Sequence, residues 1–107
     1  MARPRALITG AGSGLGRALA HRYARAGYDI AVADMHGDRA RAVVGELAAY
    51  GGIHFDVLVD VADDASVESM RDAVHAHWDS FDVLINNAGV ASGGSVADSP
   101  MDDWHWV

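Results

Sequence analysis

The fold is decided by the segment TGAGSGLG, which runs from Thr9 to Gly16. A predicted strand from Arg5 to Thr9 leads into this segment, and a predicted helix from about Gly14 to Ala26 follows it. Because glycine has no Cβ atom, backbone N–H groups here can approach a phosphate at a helix N-terminus. The spacing is T-G-x-x-x-G-x-G, and no Gly-Lys-Ser/Thr follows, which excludes a P-loop. A simple tight connection from strand to helix is the alternative at this point.

Beyond this turn, short β-type runs alternate with helical patterns along the chain. The further predicted elements are strands at Asp29–Asp34, Ile53–Val59 and Phe81–Ile85, and helices at Asp38–Tyr50, from Asp63-Asp64 through the apolar stripe Val67, Met70, Val74 and Trp78, and from Pro100 onward. This alternation is typical of a parallel sheet with right-handed crossovers. It predicts a Rossmann-like three-layer αβα fold with strand order 3-2-1-4, which binds ligands at the carboxyl ends of its strands.

Composition excludes several classes of function. The 107 residues include 8 basic and 15 acidic residues, a formal net charge of −7, which disfavours a nucleic-acid partner. Cysteine is absent, which excludes disulfides, thiolate metal sites and a cysteine nucleophile, and suits a reducing compartment. No apolar run reaches the roughly 18 residues that span a bilayer. We expect a cytoplasmic protein with no membrane partner.

The histidine and acidic residues do not indicate a metal site. His75 and His77 are two residues apart on a predicted helix and therefore point in different directions. Asp63 and Asp64 fall at a helix start, where carboxylates suit the helix dipole. We expect no bound metal.

Small or polar residues follow every predicted strand. Asp34 ends the second strand about 20 residues after the glycine turn, where a carboxylate can accept hydrogen bonds from a ribose diol. Asp60-Val61 follows the third strand and Asn87-Ala88-Gly89 the fourth. Since the carboxyl ends of parallel strands share one edge of the sheet, these residues are expected to face one crevice.

These features together resemble the short-chain dehydrogenase/reductase family, in its shorter, single-domain branch. The resemblance covers the whole chain and is carried by Thr9–Gly16, Asp34, Asp60-Val61 and the N-N-A-G motif of Asn86–Gly89. It implies an NAD(P)-dependent oxidoreductase that transfers hydride between nicotinamide and an alcohol or carbonyl substrate. It also implies a homo-oligomeric parent protein.

The resemblance further implies a set of cofactor-binding residues. Those at the pyrophosphate and adjoining ribose are Gly10, Ser13, Gly14, Leu15 and Gly16; Asp34, followed by Met35, is at the adenosine ribose; Asp60 and Val61 are at the adenine; Asn87, Ala88 and Gly89 are beneath the nicotinamide ribose. Asn86 would mainly tie the central strands together. Asp34 would repel the 2′-phosphate of NADP, which favours NAD. Arg39 and Arg41 leave NADP open, although a solvated helix face is the alternative role for both.

The chain departs from the family in lacking its catalytic residues. The catalytic serine and the Tyr-x-x-x-Lys pair of the family lie downstream of N-N-A-G, and all 8 basic residues here are arginines. Tyr23, Tyr28 and Tyr50 are therefore expected to have packing or surface roles. We expect residues 1–107 to be the N-terminal dinucleotide-binding part of a single Rossmann domain, truncated before the catalytic half and inactive alone. A non-catalytic dinucleotide-binding or regulatory module is the alternative.

Overall fold

A parallel sheet forms the centre of the computed structural model, which describes residues 3–87. The strands are β1 (Arg5–Thr9), β2 (Asp29–Asp34), β3 (Phe55–Leu58) and β4 (Val83–Asn86), and the helices are α1 (Gly14–Arg25), α2 (Gly37–Leu47) and α3 (Asp64–His77). A 3₁₀ turn, Ala48–Tyr50, follows α2. The strand order is β3-β2-β1-β4 and every pairing is parallel. The predicted Rossmann-like fold and strand order are confirmed.

Successive side chains of each strand point to opposite faces of the sheet and enter two separate hydrophobic cores. Helices cover both faces, so the fold has three layers. On one face, Ala6 and Ile8 of β1 pack with α1 and α2, whose Ala20, Ala24 and Val43 are buried. Alanines on α1 let this helix approach the sheet closely. On the other face, the buried side chains are those of Leu7, Ala31, Ala33, Phe55, Val57, Val59, Val67, Met70, Val74 and Trp78. The predicted apolar stripe of α3 is therefore in the core.

The start of β3 differs from its prediction. Ile53 is apolar and β-branched, yet it is 74% exposed and precedes the strand. Its N–H donates to the Asp29 carboxylate at 3.0 Å, and the N–H of Ile30 donates to Nδ1 of His54, also at 3.0 Å. Since side chains take the hydrogen-bonding places of a strand partner here, β3 begins only at Phe55.

The other boundaries shift by a few residues. The predicted helix Asp38–Tyr50 is an α-helix only as far as Leu47 and finishes as the 3₁₀ turn, before Gly51 with φ 77°. The α1 helix ends at Arg25, and β4 runs from Val83 to Asn86 rather than from Phe81 to Ile85. At α3 the prediction is confirmed, because the Asp63 carboxylate caps the helix by accepting the N–H of Ala65 at 3.0 Å. The predicted helix at Pro100 lies outside the described residues.

A carboxylate joins α1 to α2 on the outer surface. Glu46 Oε1 accepts hydrogen bonds from Arg17 Nε at 2.8 Å and from His21 Nε2 at 2.7 Å. The other ring nitrogen of His21 lies 2.8 Å from the Tyr50 hydroxyl. The hydrogen bond from Arg17 and, next, that from His21 hold the pKa of the Glu46 carboxyl below its ordinary value.

Glu46→Gln is expected to lower the free energy of unfolding modestly at neutral pH, because solvent screens this partly exposed pair. A carboxyl whose pKa is lower in the folded state stabilises above the unfolded pKa and loses that effect as pH falls through the folded pKa. The difference from wild type should therefore narrow as pH falls below about 5. Denaturant unfolding over a pH series measures it, with Glu68→Gln on α3 as control. A difference that widens in acid would contradict the assignment.

Candidate functional site

A cleft of about 420 Å³ opens at the carboxyl ends of the strands. The glycine loop after β1 forms one wall, and residues that follow β2, β3 and β4 form the rest. Its lining residues are Gly10, Ser13, Gly14, Leu15, Asp34, Met35, His36, Arg39, Val59, Asp60, Val61 and Asn87. The strand ends that the sequence predicts to face one crevice thus meet in one cleft.

Most of the predicted cofactor residues lie in this cleft. Those that line it are Gly10, Ser13, Gly14, Leu15, Asp34, Met35, Asp60, Val61 and Asn87. Gly16 is instead buried beside the loop, and Ala88 and Gly89 lie outside the described residues. His36 and Val59 are lining residues that the sequence reasoning missed, although each adjoins a predicted strand-end residue. Arg39 lines the cleft as well, whereas Arg41 is not among its lining residues.

The glycine loop needs its glycines for two different reasons. Gly10 and Gly14 have φ of 64° and 57°, in the left-handed region that side chains rarely adopt. A Cβ atom on Gly16 would lie 2.0 Å from the Gly10 carbonyl oxygen, so only glycine lets α1 start against the loop. Ser13 is the N-cap of α1 and lies in the cleft wall, which brings the positive end of this helix to the cleft. That arrangement favours an anionic group such as phosphate.

Asp34 brings a buried carboxylate to the same cleft. It is 7% exposed, and its Oδ1 accepts the N–H of Gly12 at 3.2 Å while its Oδ2 accepts the N–H of His36 at 3.0 Å. Each oxygen keeps acceptor capacity after these bonds, so the group can also accept from hydroxyl donors. Within residues 3–87, no arginine or histidine side chain forms an ion pair with it. The carboxylate is therefore held in place by backbone groups alone and stays available to a ligand.

The residues after β3 and β4 complete the walls. Asp60 Oδ1 accepts the N–H of Ala62 at 3.0 Å and shapes the turn into α3. The side-chain amide of Asn87 donates to the Gly10 carbonyl at 3.4 Å, which joins the end of β4 to the glycine loop. Beside it, Asn86 Oδ1 accepts the Thr9 hydroxyl at 3.0 Å, so Asn86 ties β4 to β1 as predicted.

The tyrosines lie outside this cleft. Tyr23 and Tyr28 pack edge to face with ring centroids 5.0 Å apart. The Tyr50 hydroxyl forms a hydrogen bond with Nδ1 of His21. All three are partly buried against the core beside α1 and α2, a position consistent with the packing or surface roles expected for them. Among residues 3–87, no three histidine or acidic side chains gather as a metal site. In the same residues, no helix is long and apolar enough to cross a membrane.

Comparison with known proteins points to one family. Residues 4–107 match the model of a family described as short chain dehydrogenase. D-threitol dehydrogenase from Mycolicibacterium smegmatis is 41% identical over 99 residues, a match that covers 92% of this chain and 38% of that protein. The chain thus spans little more than a third of this curated relative.

Solved structures of related enzymes share the fold. L-sorbose reductase from Gluconobacter frateurii, complexed with NADPH and L-sorbose, matches with a TM-score of 0.78 and 32% identity, over 83% of this chain and 34% of that one. A 7alpha-hydroxysteroid dehydrogenase, complexed with NADH and 7-oxo glycochenodeoxycholic acid, matches with a TM-score of 0.72 and 32% identity. This match covers 76% of this chain and 32% of that one. The family model matches residues 4–107, and the sequence and fold similarities agree with it, so the chain belongs to the short-chain dehydrogenase family.

Proposed function

We propose that this chain is the dinucleotide-binding part of an oxidoreductase that transfers hydride between a nicotinamide cofactor and an alcohol or carbonyl substrate. The observation that carries the proposal is the meeting of the glycine loop, Asp34 and the residues after β3 and β4 in one cleft. The dehydrogenase names of the relatives support this class of reaction and favour it over a non-catalytic module.

The residues of the cleft fit a dinucleotide. The N-terminus of α1 and the close approach of Gly16 to Gly10 suit a pyrophosphate, because the glycines carry no side chain that could shield their own backbone N–H groups. Asp34 suits a ribose diol, since both its oxygens retain acceptor capacity. We assign Asp60 and Val61 to the adenine, and Asn87, with Ala88 and Gly89, to the nicotinamide ribose. A bound nicotinamide would supply the hydride chemistry, while these residues bind and orient it.

We propose NAD as the preferred cofactor. The Asp34 carboxylate is buried and is held by two backbone N–H groups. It would therefore repel the 2′-phosphate of NADP and could not easily move away from it. Arg39 is the opposing consideration, because it also lines the cleft. One solved relative is complexed with NADH and another with NADPH, which supports a nicotinamide dinucleotide as the class of cofactor.

Asp34→Ala in the full-length protein is expected to weaken NAD binding by about tenfold or more, because charge-assisted hydrogen bonds are lost. The preference for NAD over NADP should narrow at the same time. Titration calorimetry with both dinucleotides measures the two dissociation constants. Asp56→Ala is the matched control, since Asp56 is exposed on β3 and does not line the cleft. An unchanged ratio of dissociation constants, or a wild type that prefers NADP, would refute the assignment.

We further propose that residues 1–107 form the N-terminal part of one longer Rossmann domain, truncated before the family's catalytic residues. The match to little more than a third of the relatives supports this division. A cytoplasmic location and a homo-oligomeric full-length protein accompany the proposal. Reading the gene beyond Val107 tests it, because a downstream Tyr-x-x-x-Lys is expected.

A further inference from the structure

Gly12 is a glycine that the motif does not require. In T-G-x-x-x-G-x-G the specified glycines are Gly10, Gly14 and Gly16, whereas Gly12 occupies a variable position. Its φ is not in the left-handed region that explains Gly10 and Gly14. It is buried and does not line the cleft. Neither turn geometry nor direct ligand contact accounts for a glycine at this position.

The space beside Gly12 is taken by two other elements of the site. A Cβ atom on Gly12 would lie 2.8 Å from both Cγ and Oδ2 of Asp34, at the end of β2. It would also lie 2.9 Å from Cβ of Arg39, in the first turns of α2. Distances this short essentially never occur for real Cβ atoms. The Asp34 carboxyl group and the aliphatic part of the Arg39 side chain therefore occupy the space that a side chain at position 12 would need.

Gly12 also holds the carboxylate that it makes room for. Its N–H donates to Asp34 Oδ1 at 3.2 Å, and the second restraint is the N–H of His36 on Oδ2. A side chain at position 12 would force the carboxyl group to rotate or α2 to retreat. The first movement breaks the bond to Gly12 and the second moves Arg39, so either the negative or the positive group at this end of the cleft is displaced.

We propose that Gly12 is a positioning residue that sets cofactor specificity by seating Asp34 against the glycine loop. The proposal rests on the function proposed above, in which Asp34 binds the adenosine ribose. Gly12 does not line the cleft and acts through Asp34 and Arg39. The specificity of the site thus depends on a residue that does not line the cleft and that occupies a variable position of the motif.

The test uses Gly12→Ala in the full-length protein, with NAD and NADP as the titrated ligands. The dissociation constant for NAD should rise about tenfold, as for loss of the Asp34 contact, while that for NADP changes less. In a double-mutant cycle, Gly12→Ala should raise the NAD dissociation constant less in the Asp34→Ala background than in the wild type, because the carboxylate through which it acts is then absent. Gly45→Ala is the matched control, since Gly45 is exposed on α2 and a Cβ there would meet nothing within 4 Å.

Two results would overturn the inference. Wild-type preference for NAD in folded Gly12→Ala, or additive effects of the two substitutions, would show that Gly12 does not act through Asp34. Failure of the wild type to bind either dinucleotide would instead refute the proposed function, and this inference with it.

A second measurement does not need a folded Gly12→Ala variant. In the ligand-free protein, Asp34→Ala should move the amide resonance of Gly12 in a ¹H–¹⁵N spectrum, because its hydrogen-bond acceptor is removed. The amide of Gly45 should stay in place. A Gly12 resonance that does not move would also overturn the inference.

Discussion

Gly16→Ala is expected to destabilise the fold by about 3 kcal/mol or more and to abolish dinucleotide binding. The new Cβ atom would lie 2.0 Å from the carbonyl oxygen of Gly10 and 2.7 Å from its carbonyl carbon. Both are backbone atoms, so the clash cannot be relieved by rotation of a side chain. Either α1 moves away from the loop or Gly10 leaves its left-handed conformation, and both changes remove the phosphate-binding geometry.

Gly14→Ala separates the effect of space from the effect of conformation. Gly14 has φ 57° but a Cβ atom on it would meet nothing within 4 Å. Its replacement should cost only about 1–2 kcal/mol, the usual penalty for a side chain in the left-handed region. Denaturant unfolding of both variants, with NAD binding measured alongside, tests the difference. A Gly16→Ala protein as stable as Gly14→Ala would show that the loop relaxes easily, contrary to this prediction.

Residues 1–107 alone are expected to show no dehydrogenase turnover. Oxidation of an alcohol or reduction of a carbonyl needs a group that moves a proton from or to the substrate oxygen, a contribution of about 10²–10⁴-fold in rate. The family's serine and Tyr-x-x-x-Lys are not among these residues, and no lysine is present to assist a tyrosine. Tyr23, Tyr28 and Tyr50 pack elsewhere and do not line the cleft. We therefore expect the cleft to bind a dinucleotide without completing the reaction.

Absorbance of the reduced nicotinamide, followed with a panel of alcohols and carbonyl compounds, is the appropriate assay. The full-length protein under the same conditions is the positive control, and calorimetry reports dinucleotide binding independently of turnover. Activity of residues 1–107 close to that of the full-length protein, after removal of host dehydrogenases, would disprove the assignment of catalysis to downstream residues.

The sequence predicts most of the sheet because local patterns decide it. Short β-type runs that alternate with helical patterns predict β1 and β2, and the glycine spacing predicts the loop between β1 and α1. The rule that crossovers are right-handed then predicts the strand order. Asp34 is predicted at the site because its position at the end of β2 fixes which edge of the sheet it faces. These features depend on residues close together in the chain.

The start of β3 and the need for glycine at position 12 depend instead on distant residues. Ile53 is β-branched, as is common in strands, but its N–H donates to the Asp29 carboxylate instead of to a neighbouring strand. The N–H of Ile30 likewise donates to Nδ1 of His54. Gly12 is required by Asp34 and Arg39, which belong to two later elements. Periodicity carries no information about such contacts, so both features emerge only from the three-dimensional arrangement.

The strands are synthesised in chain order, and the cleft can form only after the last of them, β4, has left the ribosome. β1 lies between β2, which emerges after a single helix, and β4, whose Asn86 pairs with Thr9 across 77 residues. At about 5–20 residues per second, β1 waits several seconds for this second neighbour. During that interval the glycine loop already exists, but Asn87 cannot yet bond to Gly10. A nascent chain of this protein is therefore expected to leave the backbone N–H and C=O groups on one edge of β1 unpaired, beside its apolar side chains, until β4 emerges, and chaperone binding is expected in that interval.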